Sequence, residues 1–214
     1  MMDEAEAKHW LTAEVGVPRE TIIDLERFAH LLREENERQN LVSRGSLEHL
    51  WVRHIVDSAQ LLRWSPAPDA TWLDLGTGAG FPGLIVAALH EGPVTLVEVR
   101  KLRVDFLGRA ADVLGVGERL TILCAKAEAI EARPYDVISA RAFAPLDKLL
   151  ALGERFSTAK TRWILPKGRN AHVELEAAES LWQGDFRLEP SLTDADASII
   201  VAQGVRRRGG GKAR

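Results

Sequence analysis

The sequence predicts an α/β fold, a mostly parallel sheet of seven strands with helices on both faces and an antiparallel last strand. Two observations carry this prediction. Beyond residue 70, short apolar runs alternate with segments of helical length, which is typical of strand–helix–strand units joined by right-handed crossovers. Before that point, apolar residues recur at helical spacing. We therefore expect an N-terminal helical extension (1–68), an α/β domain (69–205) and a flexible basic tail (206–214).

Two helices are predicted in the extension. The second lies in "RGSLEHLWVRHIVDSAQLL" (44–62), with Ser46 as its N-cap and an apolar stripe that includes Trp51 and Ile55. The prolines of "WSPAPDA" (64–70) then end the helical region. The first helix covers residues 18–38, where apolar side chains recur at helical spacing, namely Ile22, Leu25, Phe28, Ala29 and Leu32.

Seven apolar runs are predicted as strands. The last two are separated by only a turn-length gap, so we expect them to form a closing hairpin. The strands are predicted at 71–75, 94–99, 120–125, 135–140, 162–166, 186–190 and 197–205. Helices are predicted between them at 82–90, 101–114, 145–156 and 170–183.

The composition is that of an ordinary globular protein. The chain has 214 residues and a formal net charge of -3, so a polyanionic partner would need a local basic patch. Cys124 is the only cysteine, which excludes an intramolecular disulfide and a multi-cysteine metal site, and we expect no metal. The acidic start lacks a signal-peptide core, and no apolar run is long enough to span a membrane. We expect a cytoplasmic monomer with no membrane partner.

A glycine-rich stretch follows the first predicted strand of the sheet and can be interpreted in two ways. "LDLGTGAGFPG" (73–83) contains G-x-G-x-G at Gly76, Gly78 and Gly80, with Asp74 before it, which is typical of a loop that binds S-adenosylmethionine. It also contains G-x-G-x-x-G from Gly78 to Gly83, the pattern of dinucleotide-binding loops. Ligands of open α/β sheets bind at the carboxyl ends of the strands, so either pattern predicts a ligand here.

Asp74 and Pro82 favour S-adenosylmethionine over a dinucleotide. A dinucleotide loop aims the amides of a helix N-terminus at a pyrophosphate. The carboxylate of Asp74 would repel that anion, and Pro82 lacks one of the amide donors. S-adenosylmethionine carries no phosphate, and its sulfonium and amino groups are cationic. A structural cap of the glycine turn is the alternative role for Asp74.

Two further acids lie at the ends of later strands. Glu98, about 20 residues beyond the loop, is placed to accept hydrogen bonds from ribose hydroxyls. Its alternative is an ion pair with Arg100 or Lys101. Glu128 is placed to accept from an adenine amino group, although an acid near a helix start is also common for electrostatic reasons. Together with Asp74, these acids indicate a nucleoside ligand.

Several stretches of the sequence match a known family. They are "NLVS" (40–43), "WVRHIVDSAQLL" (51–62), "LDLGTGAGFPGL" (73–84), "VEVRKLRVDFL" (97–107), "ISARAFAPL" (138–146) and "PKG" (166–168). In these stretches the chain resembles the bacterial glucose-inhibited division protein B family, class I methyltransferases that act on 16S rRNA of the small ribosomal subunit. The resemblance implies a Rossmann-like fold, S-adenosylmethionine as the cofactor, and methyl transfer to N7 of one guanosine.

The resemblance also has implications for catalysis and for the residues that contact the cofactor. Attack by the lone pair of N7 needs no general base, so alignment and electrostatics carry the catalysis. Arg141 is the best catalytic candidate, although it could contact the cofactor's carboxylate, an RNA phosphate or an internal carboxylate. "DADASII" (194–200) departs from the family, in which many members carry a basic residue before the last strand. The implied cofactor contacts are Gly76, Phe81, Ala127, Glu128 and Arg141.

Two other groups of residues are candidates for substrate contacts. Phe143 could stack on a flipped guanine or pack in the core. Within "RHIVDS", an Arg53–Asp57 ion pair is the plain expectation, and the resemblance implies that His54 and Asp57 lie near the pocket. Basic residues at strand ends and in the tail are predicted to contact RNA phosphates, with solvated charge as the alternative. They are Arg100, Lys101, Lys167, Arg169, Arg206, Arg207 and Arg208.

Three other functions stay open at this point. A small-molecule methyltransferase would bind the same cofactor without needing the basic residues. An NAD(P)-dependent oxidoreductase would use the second glycine pattern. A non-catalytic RNA-binding protein would have lost its affinity for S-adenosylmethionine.

Overall fold

A computed structural model describes residues 2–209. Its strands are β1 (Trp72–Leu75), β2 (Val94–Glu98), β3 (Leu120–Cys124), β4 (Val137–Ser139), β5 (Arg162–Lys167), β6 (Trp182–Pro190) and β7 (Ser198–Arg207). They form one sheet in the order β3-β2-β1-β4-β5-β7-β6. The first five strands pair in parallel, and β7 is antiparallel to both β5 and β6. This arrangement confirms the predicted mostly parallel sheet with its closing hairpin.

Eight α-helices accompany the sheet within residues 2–209. They are α1 (Glu4–Ala13), α2 (Arg19–Gln39), α3 (Arg44–Glu48), α4 (Asp57–Ala59), α5 (Gly83–Leu89), α6 (Lys101–Leu114), α7 (Leu146–Gly153) and α8 (Ala171–Glu179). A π-helical turn (Trp51–Val56) leads into α4, and a 3₁₀ turn (Gln60–Trp64) follows it; we call this stretch the 51–64 segment. Further 3₁₀ turns lie at Gly117–Arg119, Ala127–Ala129 and Glu154–Phe156. None of these helices is both long enough and apolar enough to cross a membrane.

Successive strand residues face opposite sides of the sheet and enter two separate cores. In β1, Trp72 belongs to the core covered by α1, α2, α5 and α6, whereas Leu73 belongs to the core covered by α7 and α8. Helices therefore cover both faces, as the alternation of strands and helices predicts. The extension shares the first core, where the ring centroids of Phe28 and Phe81 lie 5.8 Å apart. The boundary at residue 68 stays a prediction, and one continuous core crosses it.

The local structure differs from the prediction at three places. Ser43, and not Ser46, caps α3, because the Ser43 side chain accepts a hydrogen bond from the Ser46 amide at 3.2 Å. Apolar spacing does not reveal α1, although Asp3 and Glu6 form a capping box at its start. The helix predicted to reach residue 183 ends at Glu179, since β6 begins at Trp182.

The predicted flexible tail is partly ordered within the sheet. Arg206 and Arg207 are the last residues of β7 and pair with Gln183 and Trp182 of β6. Arg208 continues this order, because its Nε donates to the Glu179 carbonyl at 2.7 Å. Residues 210–214 of the predicted tail lie outside the described residues.

Candidate functional site

The glycine loop connects β1 to α5. Gly76, Gly78 and Gly80 have φ angles of 67°, 60° and 93°, which glycine adopts without steric cost. A Cβ at Gly80 would lie 2.3 Å from Cδ1 of Leu84, and a Cβ at Gly76 would lie 2.1 Å from Cδ2 of Phe143. At Gly78 the nearest atom would be Nη1 of Arg103, at 3.6 Å. A side chain at Gly78 would therefore meet only ordinary van der Waals contacts, whereas packing requires glycine at positions 76 and 80.

Asp74 lies beneath this loop and is fully buried. Its Oδ2 accepts a hydrogen bond from the Gly83 amide at 3.1 Å, and its Oδ1 accepts from the Ser139 hydroxyl at 2.8 Å. Burial raises the pKa of Asp74, while the hydrogen bonds to its carboxylate act in the opposite direction. These contacts fit the alternative role predicted for Asp74, a structural cap of the glycine turn, and its contact with a ligand stays a prediction.

The hydrogen bond from the Gly83 amide to Asp74 also argues against a dinucleotide as the ligand. The Gly83 amide, which a pyrophosphate would need at the start of α5, is already used by Asp74, and Pro82 has no amide proton. A Cβ at Gly83 would lie 2.2 Å from Cδ2 of Leu96, so this glycine serves the packing of α5 on β2. The loop therefore suits a ligand without phosphate groups.

The carboxylates at the ends of the next two strands can accept further hydrogen bonds. Oε1 of Glu98 accepts from the Val99 and Arg100 amides, both at 2.8 Å. Its Oε2 has one partner among the described residues, Nη1 of Arg103 at 3.4 Å, and can therefore accept from a ribose hydroxyl. The predicted partners Arg100 and Lys101 do not pair with it through their side chains. After β3, a 3₁₀ turn holds Ala127 buried and Glu128 exposed.

Arg141 points away from solvent and towards the 51–64 segment. Its guanidinium donates to Oδ2 of Asp57 at 3.2 Å, to the Arg53 carbonyl at 3.1 Å and to Nδ1 of His54 at 2.8 Å. Its Cζ also lies 5.2 Å from the centroid of the Phe81 ring. Of the three roles considered for Arg141, this conformation is the internal ion pair.

The π-helical turn places two further side chains beside Arg141. The predicted Arg53–Asp57 ion pair is wrong, because Arg53 pairs with Asp194 at 2.6 Å and Asp57 pairs with Arg141. His54 stacks on Phe81, with ring centroids 4.7 Å apart. Burial, followed by the charges of Arg141 and Arg53, lowers the pKa of His54 to about 3. The ring is therefore neutral, and since Nδ1 accepts from Arg141, its proton lies on Nε2, which has no hydrogen-bond partner in the described structure.

A cavity of about 830 Å³ opens beside the glycine loop. Phe143 lies between the two, because its ring contacts Gly76 and also lines the cavity. Ala142 before it has a φ of 52°, a strained conformation for a residue with a Cβ. The cavity walls come from residues 41–46, the 51–64 segment, the loop after β4, the end of β5 with α8, and the β6–β7 loop with the start of β7. Their polar residues include Arg53, His54, Asp57, Arg141, Lys167, Glu174, Thr193 and Asp194.

The structure separates the predicted phosphate contacts into three groups. Arg100, Lys101 and Arg169 are exposed at the carboxyl ends of the parallel strands. Lys167 is instead held in the cavity wall, because its Nζ donates to the Ala144 carbonyl at 3.1 Å and to Oε2 of Glu174 at 2.8 Å.

The arginines of the tail form the third group and lie elsewhere. In β7, Ser198 is opposite Lys167, whereas Gln203 is opposite Arg162 at the amino end of β5. The strand continues from there to Arg207, so Arg206, Arg207 and Arg208 lie at the other end of the sheet, about 30 Å from the cavity at ~3.3 Å per residue. The structure therefore does not bring them together with the other basic residues.

Sequence reasoning misses two acidic residues of the cavity. Asp194 appears in the sequence only as part of the departure at 194–200. Glu174 lies on α8 in a stretch without a motif. Asp194 reaches the cavity through its pair with Arg53, 141 positions away, and Glu174 through its contacts with Leu146 and Lys167, so no sequence motif marks either acid.

Comparisons with known proteins agree with this geometry. The family model described as rRNA small subunit methyltransferase G matches residues 21–195. The curated ribosomal RNA small subunit methyltransferase G of Rhizorhabdus wittichii is 51% identical over 213 residues, which covers 99% of this chain and 97% of that protein. The protein of the same name from Novosphingobium aromaticivorans is 50% identical over 206 residues and covers 95% of this chain and 89% of that protein.

Solved structures with little sequence identity share the fold. A putative O-methyltransferase from Klebsiella pneumoniae has a TM-score of 0.63 at 15% identity, covering 94% of this chain and 96% of that chain. A mutant of MtNAS in complex with S-adenosylmethionine has a TM-score of 0.56 at 17% identity, covering 95% of this chain and 84% of that chain.

Proposed function

Because this chain belongs to the rRNA small subunit methyltransferase G family, we propose that it methylates N7 of one guanosine in 16S rRNA, with S-adenosylmethionine as the cofactor. The observation that carries the proposal is the family match over residues 21–195, which includes the glycine loop, Glu98 and Arg141. The curated relatives are named for the RNA of the small ribosomal subunit, and the choice of N7 comes from the resemblance of the sequence motifs.

The cofactor site is proposed at the ends of β1, β2 and β3. When bound, S-adenosylmethionine supplies an electrophilic methyl group, and the N7 lone pair displaces the thioether, so the positive charge moves from sulfur to the base and no proton is transferred. Gly78, where an added Cβ would clash with no described atom, would border this ligand. Oε2 of Glu98 would accept from the ribose, and the turn with Ala127 and Glu128 would contact the adenine. Asp74 would act only by holding the loop.

The acceptor site is proposed in the cavity on the other side of Phe143. This site needs no general base, because N7 of guanine carries no proton that must leave. The low pKa of His54, about 3, makes it a weak base at neutral pH, in agreement with a reaction that needs none. His54 and Arg141 would instead support the underside of the site through their contacts with Phe81.

The RNA backbone is proposed to lie across the exposed residues Arg100, Lys101 and Arg169 at the same edge of the sheet. We propose that the enzyme acts as a monomer in the cytoplasm.

The proposal is tested with labelled S-adenosylmethionine and small subunits from a strain that lacks this gene. We expect label at N7 of a single guanosine, located by mass spectrometry of nuclease fragments. The absence of label from the rRNA, with transfer to a metabolite, would indicate the small-molecule methyltransferase. Calorimetry with NAD(P) and with S-adenosylmethionine separates the oxidoreductase and the non-catalytic RNA-binding protein from the proposed enzyme.

A further inference from the structure

Three ion pairs surround the cavity beside Phe143. Arg53 pairs with Asp194 at 2.6 Å, Arg141 with Asp57 at 3.2 Å and Lys167 with Glu174 at 2.8 Å. Each basic side chain of the described lining except neutral His54 is thus matched by a carboxylate. A phosphate would need unpaired cations. The interior of the cavity is therefore suited to an uncharged heterocycle that carries both donors and acceptors.

One of the three carboxylates keeps a free oxygen. Both oxygens of Asp57 accept hydrogen bonds, from Gln60, Thr193 and Arg141. Both oxygens of Asp194 also accept, from Arg53 and from the Asp196 amide.

Glu174 differs from these two acids. Its Oε2 accepts from Nζ of Lys167 at 2.8 Å and from the Leu146 amide at 3.0 Å, while its Oε1 has no hydrogen-bond partner among residues 2–209. The two contacts on Oε2 fix the carboxylate, and about a third of the side chain, 33%, is exposed.

Lys167 adds a free donor next to this free acceptor. An ammonium group has three N–H donors, and Lys167 uses one on the Ala144 carbonyl and one on Glu174. The side chain is only 10% exposed, so its position in the wall is fixed. The pair therefore presents one N–H donor and one carboxylate oxygen side by side.

We propose that Lys167 and Glu174 read the Watson–Crick edge of the target guanine. This inference rests on the proposed function. Oε1 of Glu174 accepts from N1–H and the N2 amino group, and Nζ of Lys167 donates to O6. Adenine would satisfy the same pair only when turned over, with its N6 amino group on Glu174 and its N1 on Lys167.

The order of the strands determines how a guanine bound to Lys167 and Glu174 would be oriented. Lys167 ends β5, and only β4 separates β5 from β1 and the glycine loop, which is roughly 10 Å at ~4.8 Å per strand. A guanine held by its Watson–Crick edge at β5 directs its imidazole side, with N7, towards the loop. As methylation makes the base cationic, N1–H becomes more acidic and its hydrogen bond to Glu174 strengthens. Glu174 therefore contributes to kcat as well as to KM.

The test uses small subunits reconstituted with guanosine or inosine at the target position. Inosine keeps N1–H, O6 and N7 but lacks the N2 amino group. With the wild-type enzyme, we expect kcat/KM for inosine RNA to be roughly 10-fold below that for guanosine RNA, since a hydrogen bond to a charged acceptor is lost. With Glu174→Gln, kcat/KM for guanosine RNA falls and the guanosine-to-inosine ratio approaches one. Glu176→Gln, an exposed acid on the same helix, keeps the wild-type ratio.

A binding measurement covers the case in which Glu174→Gln is inactive. The two RNAs compete for the enzyme in the presence of S-adenosylhomocysteine, and thermal unfolding verifies that the variant is folded. Loss of the guanosine preference supports the inference. A guanosine-to-inosine ratio that is equal in the wild type and in Glu174→Gln overturns it while the proposed function stands. If the wild-type enzyme leaves rRNA unlabelled, the proposed function fails and this inference fails with it.

Discussion

The backbone amide of Gly83 donates a hydrogen bond to the buried carboxylate of Asp74 at 3.1 Å. This contact distinguishes the two glycine patterns of the loop, because it removes the amide that a pyrophosphate would need. It also connects the last residues of β1 to the start of α5. The acid before the glycines thus holds the loop in its conformation.

Replacement of Asp74 should therefore reduce stability first and cofactor affinity second. Asp74→Ala leaves the Gly83 amide and the Ser139 hydroxyl without their shared acceptor in a fully buried place. We expect the free energy of unfolding to fall by about 2–4 kcal/mol, since each unsatisfied group costs ~1–3 kcal/mol. Urea unfolding measures this, with exposed Asp69→Ala as the control. A variant as stable as the wild type would contradict the structural role.

Alanine substitutions at three glycines should distinguish a glycine needed for cofactor binding from one needed for packing. Gly78→Ala places a methyl group in ordinary van der Waals contact with Arg103 at a φ of 60°, so we expect a loss of S-adenosylmethionine affinity with a stability cost of only about 1–2 kcal/mol. Gly80→Ala meets Leu84 and should be strongly destabilised. Gly115→Ala is the matched control for Gly78, because Gly115 has a φ of 65°, no atom within 4 Å of its Cβ position, and lies at the end of α6. Calorimetry and thermal unfolding measure both quantities, and equal cofactor affinities for Gly78→Ala and Gly115→Ala would exclude Gly78 from the ligand site.

The strands of the sheet can be predicted from apolar runs in the sequence, and the first of these runs also implies the position of Asp74. Strand residues alternate between faces, so Asp74 lies on the same face as Trp72, where α5 covers both. The run "WLDL" is buried throughout, which marks Asp74 as part of the strand and not of the loop. The predicted strand at 71–75 includes Asp74, whereas the contacts of its carboxylate with the Gly83 amide and the Ser139 hydroxyl are visible only in the structure.

The cavity depends on contacts that no local pattern encodes. Arg53 and Asp194 are 141 positions apart in the sequence and meet because the β6–β7 loop folds against the 51–64 segment. Consecutive residues of that loop contact the segment, with Leu192 donating to Gln60 and Thr193 to Asp57. Motif recognition identifies the helical side of these contacts, whereas the loop side becomes visible only in three dimensions.

The stability of the protein should depend on pH through His54. Its pKa falls from the usual 6.5 to about 3 on folding, so its contribution is fully present above the unfolded pKa and is lost as pH falls towards the folded value. Between pH 6.5 and 5, where few carboxylates titrate, we expect a decrease of up to ~1.4 kcal/mol per pH unit from this residue. His54→Gln should remove most of this slope, whereas exposed His30→Gln should retain it. Equal slopes for the two variants in denaturant titrations would show that folding does not lower the pKa of His54.

The two groups of arginines and lysines should differ in their effect on RNA binding. Arg100 and Lys101 are exposed at the edge that carries the cavity, whereas Arg206 and Arg207 lie at the other end of the sheet. We expect Arg100→Gln with Lys101→Gln to weaken binding to small subunits and to lower the salt slope by about 1–2. The pair Arg206→Gln with Arg207→Gln has the same charge change and should have the smaller effect. Filter binding over a range of salt concentrations measures both effects. A larger effect of the second pair would indicate that the RNA binds along the opposite edge of the sheet.

The ion pair between Arg53 and Asp194 should restrain RNA binding at the mouth of the cavity. The Arg53 side chain is 47% exposed, yet its guanidinium lies 2.6 Å from the Asp194 carboxylate, and this hydrogen bond, followed by that from the Asp196 amide, lowers the pKa of Asp194. Asp194→Asn keeps the shape of the side chain and leaves the charge of Arg53 uncompensated. We therefore expect tighter binding to small subunits and a salt slope that is steeper by up to about 1, since one further counterion is released. Glu118→Gln, next to β3 at its amino end, carries the same charge change far from the cavity and serves as the control. An unchanged salt slope in Asp194→Asn would mean that no phosphate reaches Arg53, and that the acid at position 194 serves only to hold the β6–β7 loop against the 51–64 segment.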